Sequence, residues 1–155
     1  MSILVLAPLV LVVNGLAAGV LVGTQLGGWP LLQALPPGRY VHAHAFFATR
    51  YDPFMPACLL ATITGDVVLA LADGDARAAR ALYVVAALAA AATVTISLIK
   101  NVPVNRWIRQ LDPDRLPSDF TRQDPRPGWG LWNRIRTWLA VCALIANGAA
   151  LSVQM

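Results

Sequence analysis

The sequence predicts an all-α fold, an integral membrane four-helix bundle, and three observations support this prediction. Of its 155 residues, 57% are hydrophobic and only 13% are charged, whereas a soluble domain carries about 25% charged residues. The mean hydropathy is +0.60. Four apolar stretches each approach the ~20 residues that a helix needs to cross a bilayer. Helices are expected because open strands cannot satisfy their backbone groups in lipid.

The four spans are predicted within a single transmembrane domain, residues 1–155, at about 3–25, 54–72, 78–100 and 131–153. A short helical segment is expected in loop one, and loop three, between the third and fourth helices, is expected to be irregular. Eight of the twelve basic residues lie between Lys100 and Arg136. Because basic loops stay in the cytoplasm, loops one and three are predicted inside, at the cytoplasmic membrane. The net charge of +4 is therefore assigned to topology and membrane lipid, with no nucleic-acid partner.

Small residues recur along the first span, where Gly15, Gly19 and Gly23 are four residues apart. Such a ridge lets the backbone of a neighbouring helix approach closely. The prediction is close packing within the bundle. The alternative is a homo-oligomer that uses the same ridge as its seam.

Loop one holds both histidines, in the run RYVHAHAFF. Residues two apart on a helix point about 200° from each other, so one regular helix cannot aim His42 and His44 at the same ion. A helix would instead place Tyr40, His44, Phe47 and Tyr51 on one aromatic face, suited to cover a cavity mouth. His44 is interpreted as an acid/base or substrate contact. A metal or haem held through His42 or His44 stays open as the alternative.

The second span contains one acidic residue, Asp66. Ionisable groups inside a span are expensive and are functional candidates by default. Asp66 is interpreted as a proton-handling group, as the partner of a basic residue, or as a carboxylate that reaches the far membrane surface. Cys58 and Cys142 also lie in apolar runs and are interpreted as buried apolar side chains.

Polar residues recur every fourth position at the end of the third span, a spacing that forms one slowly drifting helical stripe. They are Thr93, Ser97, Asn101 and Asn105. Pro103 interrupts this stripe because it lacks an N–H and disfavours helix at the preceding residue. We expect the chain to kink there, or to restart as a short surface helix through Leu111.

The fourth span opens with the run WNRIR, in which Asn133 and Arg136 share one helical face. Arg134 points elsewhere and is expected to extend to the lipid headgroups. Arg136 lies more than a turn inside the span, so it needs a partner, a wet cavity or an anionic ligand. Two interpretations stay open: the amides and Arg136 clamp the third and fourth helices together, or they form a ligand or catalytic site.

The two polar runs together resemble the anthrone oxygenase-like family of small four-helix membrane proteins. Its third helix typically ends in N-x-P-x-N and its fourth begins with W-N-x-x-R. The matching positions here are Asn101, Pro103, Asn105, Trp132, Asn133 and Arg136. The family has an amide-rich pattern in loop one, where this chain has His42 and His44, and this departure favours a specialised site.

The resemblance implies a membrane-embedded oxygenase that inserts oxygen into a lipophilic aromatic, an anthrone-like polyketide, with dioxygen as co-substrate and no required cofactor. It implies that Arg136 stabilises the enolate oxyanion, assisted by hydrogen bonds from the amides of Asn101, Asn105 and Asn133. His44 would remove the proton. The predicted substrate contacts are Tyr40, Phe47, Ser97 and Trp132. The alternatives are a metal- or haem-binding oxidoreductase and a non-catalytic membrane partner subunit.

Overall fold

The computed structural model describes residues 3–51, 53–72 and 77–154, with side chains from residue 5 onward. Within these ranges the chain consists of helices and turns, without a strand. The helices are α1 (Ile3–Gly23), α2 (Trp29–Ala34), α3 (Pro37–Tyr51), α4 (Phe54–Ala72), α5 (Arg77–Ile96), α6 (Val102–Ile108) and α7 (Arg126–Ser152). Two π-helical turns, Thr24–Gly28 and Ser97–Asn101, connect α1 to α2 and α5 to α6.

Four helical runs are long and apolar enough to cross a membrane, as predicted. They are Val5–Ala34, Phe54–Ala72, Arg77–Ile108 and Arg126–Ser152. Helices α1 and α5 each pack against both α4 and α7, so the four spans form a closed ring. Helix α3 is the helical segment predicted in loop one, and it packs against α2, α4 and α6. We call this end, where α2, α3 and α6 cover the ring, the loop-one end.

Alanines form much of the contact between the spanning helices. Ala86 and Ala90 of α5 are fully buried against Ala140 and Ala143 of α7. Hydrocarbon is as apolar as a leucine side chain, so spanning helices associate through close packing rather than through the hydrophobic effect. Larger apolar side chains on the same helices, such as that of Ile145, point outward. The alanine-rich composition of α5 is therefore a consequence of close helix approach.

The glycine ridge of α1 does not pack as predicted. A Cβ at Gly15 would contact Leu144 at 3.8 Å, but at Gly19 and Gly23 it would meet no atom within 4 Å. The small residues that enter the core are instead Ala17 and Ala18. The prediction of close packing within the bundle is thus wrong for Gly19 and Gly23. A spacing of four residues defines a stripe along the helix, but it does not show whether that stripe faces the bundle or the lipid. The homo-oligomer seam stays a prediction.

Cys142 was also expected to be buried, and this expectation is wrong. Cys58 is buried in α4, whereas Cys142 is exposed on α7. An apolar run does not distinguish the lipid-facing side of a helix from the side that faces the bundle. Both cysteines are free thiols.

The chain continues as helix past Pro103 instead of ending near Lys100. The π-helical turn Ser97–Asn101 closes with a bond from the Val102 N–H to the Ser97 carbonyl, and α6 follows at once. Pro103 lies in the first turn of α6, where its missing N–H costs little. Helix α6 ends at Ile108, so the predicted surface helix does not reach Leu111.

The wider π-helical turn keeps the polar stripe of the third span on one side of the helix. Residues four apart on an α-helix drift around its axis, since one turn takes 3.6 residues. A π-helical turn is wider, with i→i+5 bonds, and it offsets this drift. Thr93, Ser97, Asn101 and Asn105 are consequently all buried on the inner side of the bundle.

An aromatic cluster covers the loop-one end. Trp29, Tyr40, Phe120 and Trp129 are buried together with Ile108. Arg126, at the start of α7, pairs with Asp124 at 2.6 Å, donates to the Leu35 carbonyl at 2.9 Å, and lies 4.9 Å from the centre of the Tyr40 ring. These contacts fix the start of α7 against α2 and α3.

Substitution of Gly130 with alanine is expected to destabilise this cluster by ~1–3 kcal/mol, as overpacking does. A Cβ at Gly130 would overlap the buried Trp29 ring. That ring is tilted by 36° relative to Trp129, at 5.6 Å between ring centres. The matched control is Gly128→Ala, where a Cβ would meet no atom within 4 Å. Thermal unfolding in detergent should show a lower Tm for Gly130→Ala only. Equal Tm values for the two variants would contradict this account of the cluster.

Candidate functional site

A cavity of about 90 Å³ lies at the loop-one end, where α3 covers the ring of spanning helices. Most of its wall is apolar, with side chains such as Leu21, Met55 and Leu59. Four strongly polar side chains also line it, and all four are buried: His44, Ser97, Asn105 and Arg136. A largely apolar cavity with a few convergent polar groups is the usual form of a small-molecule site.

Arg136 is held in a fixed orientation on the cavity wall. Its Nε and Nη2 donate to Asn133 Oδ1 at 3.1 and 2.8 Å, and its Nη1 donates to Ser97 Oγ at 3.0 Å. Asn133 is itself anchored, since its amide nitrogen donates to Gln25 Oε1 at 2.9 Å. The guanidinium also lies 5.9 Å from the centre of the Trp129 ring. The cavity therefore contains a positive charge whose position is set before any ligand binds.

His44 reaches the same cavity from α3 and is 2% exposed. Its Nε2 lies 2.9 Å from Asn105 Oδ1, and its ring makes edge contacts with Tyr40 and Trp129 at 5.3 and 4.9 Å between ring centres. Burial lowers the pKa of His44, the Asn105 hydrogen bond raises it in part, and the charge of Arg136 lowers it further. The net shift is downward from 6.5, so the imidazole is neutral at pH 7.

Trp129 is a site residue that the sequence analysis did not predict. Its ring lines the cavity, and its Nε1–H donates to Asn105 Oδ1 at 2.9 Å. The available signal was its spacing. Trp129 lies four residues before Asn133 and seven before Arg136, so the three share one helical face.

Three of the predicted site residues lie behind the cavity wall rather than on it. Asn101 donates to the Trp129 carbonyl at 3.3 Å, Asn133 anchors Arg136, and Tyr40 packs between His44 and Arg126. Burial, followed by the charge of Asp124, raises the pKa of Tyr40, so its hydroxyl remains protonated. These residues support the site and are not placed to contact a ligand in the cavity.

Trp132 lies away from the cavity. It is half-buried, and the Lys100 Nζ lies 5.0 Å from the centre of its ring. This contact belongs to the outer surface of the bundle. The W-N-x-x-R run therefore contributes its Asn and Arg to the site, while its Trp packs elsewhere.

The two histidines of loop one diverge, as expected for residues two apart on a helix. His44 is buried at the cavity, whereas His42 is exposed on the other side of α3. A site that uses both as ligands is not formed. Across the described ranges, no group of three or more His, Cys, Asp or Glu side chains could hold a metal ion.

Asp66 lies away from the cavity, deep among the spanning helices. It is fully buried, and its Oδ2 accepts a hydrogen bond of 3.4 Å from the amide of Asn147. The residues that line the cavity do not include it. Asn147 lies eleven residues after Arg136 on α7, and it forms this second polar pair with Asp66 instead of lining the cavity.

Among the residues that line the cavity, Tyr51 at the end of α3 and Leu98 in the second π-helical turn are exposed, and we call this side of the cavity its mouth. Phe47 and Tyr51 of α3 stack at 6.1 Å between ring centres, with 8° between their planes. Leu98 lines the cavity and is 60% exposed.

The fold and this site define a class: helical membrane proteins with four spans and a polar site buried at one end of the bundle. The anthrone oxygenase family model matches residues 44–146, more than half of the chain, and the chain belongs to this family. The predicted resemblance is thus confirmed, and it supports an oxygenase-like function in general. No curated protein and no solved structure gives a significant match. The matched range begins at His44 and includes all four polar residues of the cavity wall.

Proposed function

We propose that the protein is a membrane-embedded oxygenase that uses dioxygen to oxidise an anthrone-like aromatic to a quinone in this cavity. The observation that carries the proposal is the pairing of a neutral imidazole with a fixed guanidinium on one apolar wall. Both His44 and Arg136 contact the face or edge of Trp129. A base and an oxyanion-binding group side by side are what the formation of an enolate requires.

His44 performs the first step. An anthrone has three fused rings, with a carbonyl in the central ring and a CH₂ group opposite to it. Removal of one CH₂ proton gives an aromatic enolate. A neutral imidazole can accept this proton, and the lowered pKa of His44 keeps it neutral at pH 7.

Arg136 stabilises the charge that develops. When the CH₂ proton leaves, negative charge accumulates on the carbonyl oxygen. Arg136 is already oriented by Asn133 and Ser97, so it requires little reorganisation during the reaction. Preorganised donors in a water-poor site contribute much more than the same donors in water.

Dioxygen completes the reaction with the electrons of the substrate. The enolate transfers one electron to dioxygen, and the two radicals combine to form a C–O bond. The resulting peroxide anion takes the proton held by His44 and becomes a hydroperoxide, which leaves the imidazole neutral again. Loss of the second CH₂ proton and cleavage of the O–O bond then give a carbonyl and water. One anthrone and one dioxygen thus yield one anthraquinone and one water, a four-electron oxidation.

The size of the cavity indicates how such a substrate binds. Its volume of about 90 Å³ is below the ~300–1,000 Å³ of typical pockets for drug-sized ligands. Binding of three fused rings therefore requires side chains that line the cavity to move aside. A lipophilic aromatic would arrive through the bilayer. From the basic residues of loops one and three, we propose that the loop-one end faces the cytoplasm.

Oxidation of a hydroxylated anthrone by the purified protein in lipid nanodiscs tests the proposal. Quinone formation and oxygen uptake should be proportional to protein concentration. With ¹⁸O₂, each quinone should carry one labelled oxygen atom. Because anthrones also autoxidise, empty nanodiscs supply the background rate. A rate equal to that background, with the protein folded, would overturn the proposed function.

A further inference from the structure

The hydrogen bonds around Asn105 determine which nitrogen of His44 carries the proton. Asn105 Oδ1 lies 2.9 Å from both Trp129 Nε1 and His44 Nε2. An indole nitrogen can only donate, so the atom of Asn105 that faces Trp129 must be its carbonyl oxygen. The same oxygen faces His44. A carbonyl oxygen only accepts, and Nε2 of His44 must therefore be the protonated nitrogen.

The other nitrogen of His44 is left without a proton and without a partner. A neutral imidazole carries one N–H, so protonation of Nε2 leaves a lone pair on Nδ1. His44 Nδ1 is buried and has no hydrogen-bond partner among the described residues. Buried polar atoms are nearly always paired, so an unpaired nitrogen on a residue that lines a cavity is a candidate for a catalytic role.

We propose that Trp129 and Asn105 are positioning residues that fix His44 as the Nε2–H tautomer, so that Nδ1 is the atom that accepts the substrate's proton. The second clause depends on the proposed function, whereas the tautomer does not. Two donors share one acceptor in this arrangement: Trp129 Nε1–H and His44 Nε2–H both donate to Asn105 Oδ1. Trp129 and Asn105 are both buried, and Asn105 is in α6, so the position of this oxygen is fixed.

The tautomer gives Asn105 a role in addition to the predicted one. It was predicted as a donor to the enolate oxygen, which only its NH₂ group can be, because its carbonyl oxygen accepts hydrogen bonds from two protein donors. Through this oxygen Asn105 orients His44, whereas the charged donor to the oxyanion is Arg136. The base and the oxyanion-binding group therefore come from different elements, α3 and α7.

Nitrogen NMR of the full chain tests the tautomer directly, because the protein has only two histidines. In a His42→Asn background, with a purification tag free of histidine, His44 is the only histidine. With ¹⁵N-histidine labelling in nanodiscs at pH 7, Nε2 should show the shift of a protonated, pyrrole-like nitrogen and Nδ1 that of an unprotonated, pyridine-like one. The reverse pattern, an equal mixture or a doubly protonated ring would each overturn the proposal.

Trp129→Phe in the same background replaces the indole with a phenyl ring, so an aromatic side chain remains but the Nε1–H donor to Asn105 is lost. The Asn105 amide is then free to rotate and to present its NH₂ to His44, so the Nδ1–H tautomer should appear in the spectrum. The kcat for the anthrone should fall about 10–100-fold, the loss that is typical when the partner that orients a metal-bound histidine is removed. The matched control is Trp138→Phe, since Trp138 is on the same helix and 64% exposed.

The control should leave both the spectrum and the rate unchanged. An unaltered His44 spectrum in Trp129→Phe would contradict the positioning role, whatever happens to the rate. If no anthrone is oxidised while His44 is the Nε2–H tautomer, the proposed function and the base assignment fail and the positioning role stands. If anthrone is oxidised while His44 is the Nδ1–H tautomer, the proposed function stands and this inference fails.

Discussion

Substitution of Arg136 with alanine is expected to lower kcat for an anthrone by ~10²–10³, the cost of removing one oxyanion donor. The guanidinium is the only charged group among the described residues that line the cavity. Its loss leaves the developing negative charge in an apolar surround, where an unpaired charge is strongly disfavoured. The effect should be mainly on kcat, since the charge develops in the transition state rather than in the bound substrate.

Arg136→Lys distinguishes charge from geometry. A lysine ammonium is a point charge on a flexible stem, and it cannot reproduce the planar fork that Asn133 and Ser97 orient. We expect Arg136→Lys to recover part of the rate but not all of it. Arg134→Ala is the matched control, because Arg134 is exposed and two residues away on the same helix. Normal turnover by Arg136→Ala would contradict the mechanism.

The fold of the Arg136 variants must be verified separately. Without the guanidinium, Asn133 Oδ1 and Ser97 Oγ lose buried donors, which costs ~1–3 kcal/mol for an unsatisfied group. A lower Tm is therefore expected for Arg136→Ala. A kcat measured well below that Tm, with the native helical circular dichroism, separates a catalytic loss from unfolding.

The fold was predictable because a bilayer leaves the chain few choices. Hydropathy and length alone locate four spans, and backbone satisfaction in lipid makes them helices. A short helical segment was also predicted in loop one, and α3 confirms it. The polar stripe on the third span was also visible, because polar side chains in a span normally face inward.

The parts that sequence reasoning missed depend on rotation about helix axes. Gly19 and Gly23 form a plausible packing stripe, yet α1 turns its alanines inward instead. The π-helical turn before Pro103 rotates the side chains of α6 about the helix axis. The pattern of a single sequence does not predict where such a turn occurs. Trp129 was not predicted, because its contact with Asn105 joins residues 24 positions apart. Only the packed structure shows which side of each helix meets its neighbours.

Substitution of His44 with glutamine is expected to lower kcat/KM by ~10²–10⁴, the range that a positioned general base contributes. Glutamine can still donate a hydrogen bond to Asn105, but its neutral amide cannot accept a proton at accessible pH. His42→Gln is the matched control. His42 is exposed on the opposite side of α3, so this variant should turn over anthrone at the normal rate.

The pH profile distinguishes the two histidines more sharply than the rate at one pH. Only neutral His44 acts as a base, and its pKa lies below 6.5, first because of burial and then because of Arg136. After correction for autoxidation, kcat/KM should stay level from pH 8 to pH 6.5 and fall only as the pH drops through this lowered pKa. His42→Gln should keep the same acid limb, and His44→Gln should lose it. An acid limb that survives in His44→Gln but vanishes in His42→Gln would assign the proton transfer to the exposed histidine, and the base would then act from outside the cavity.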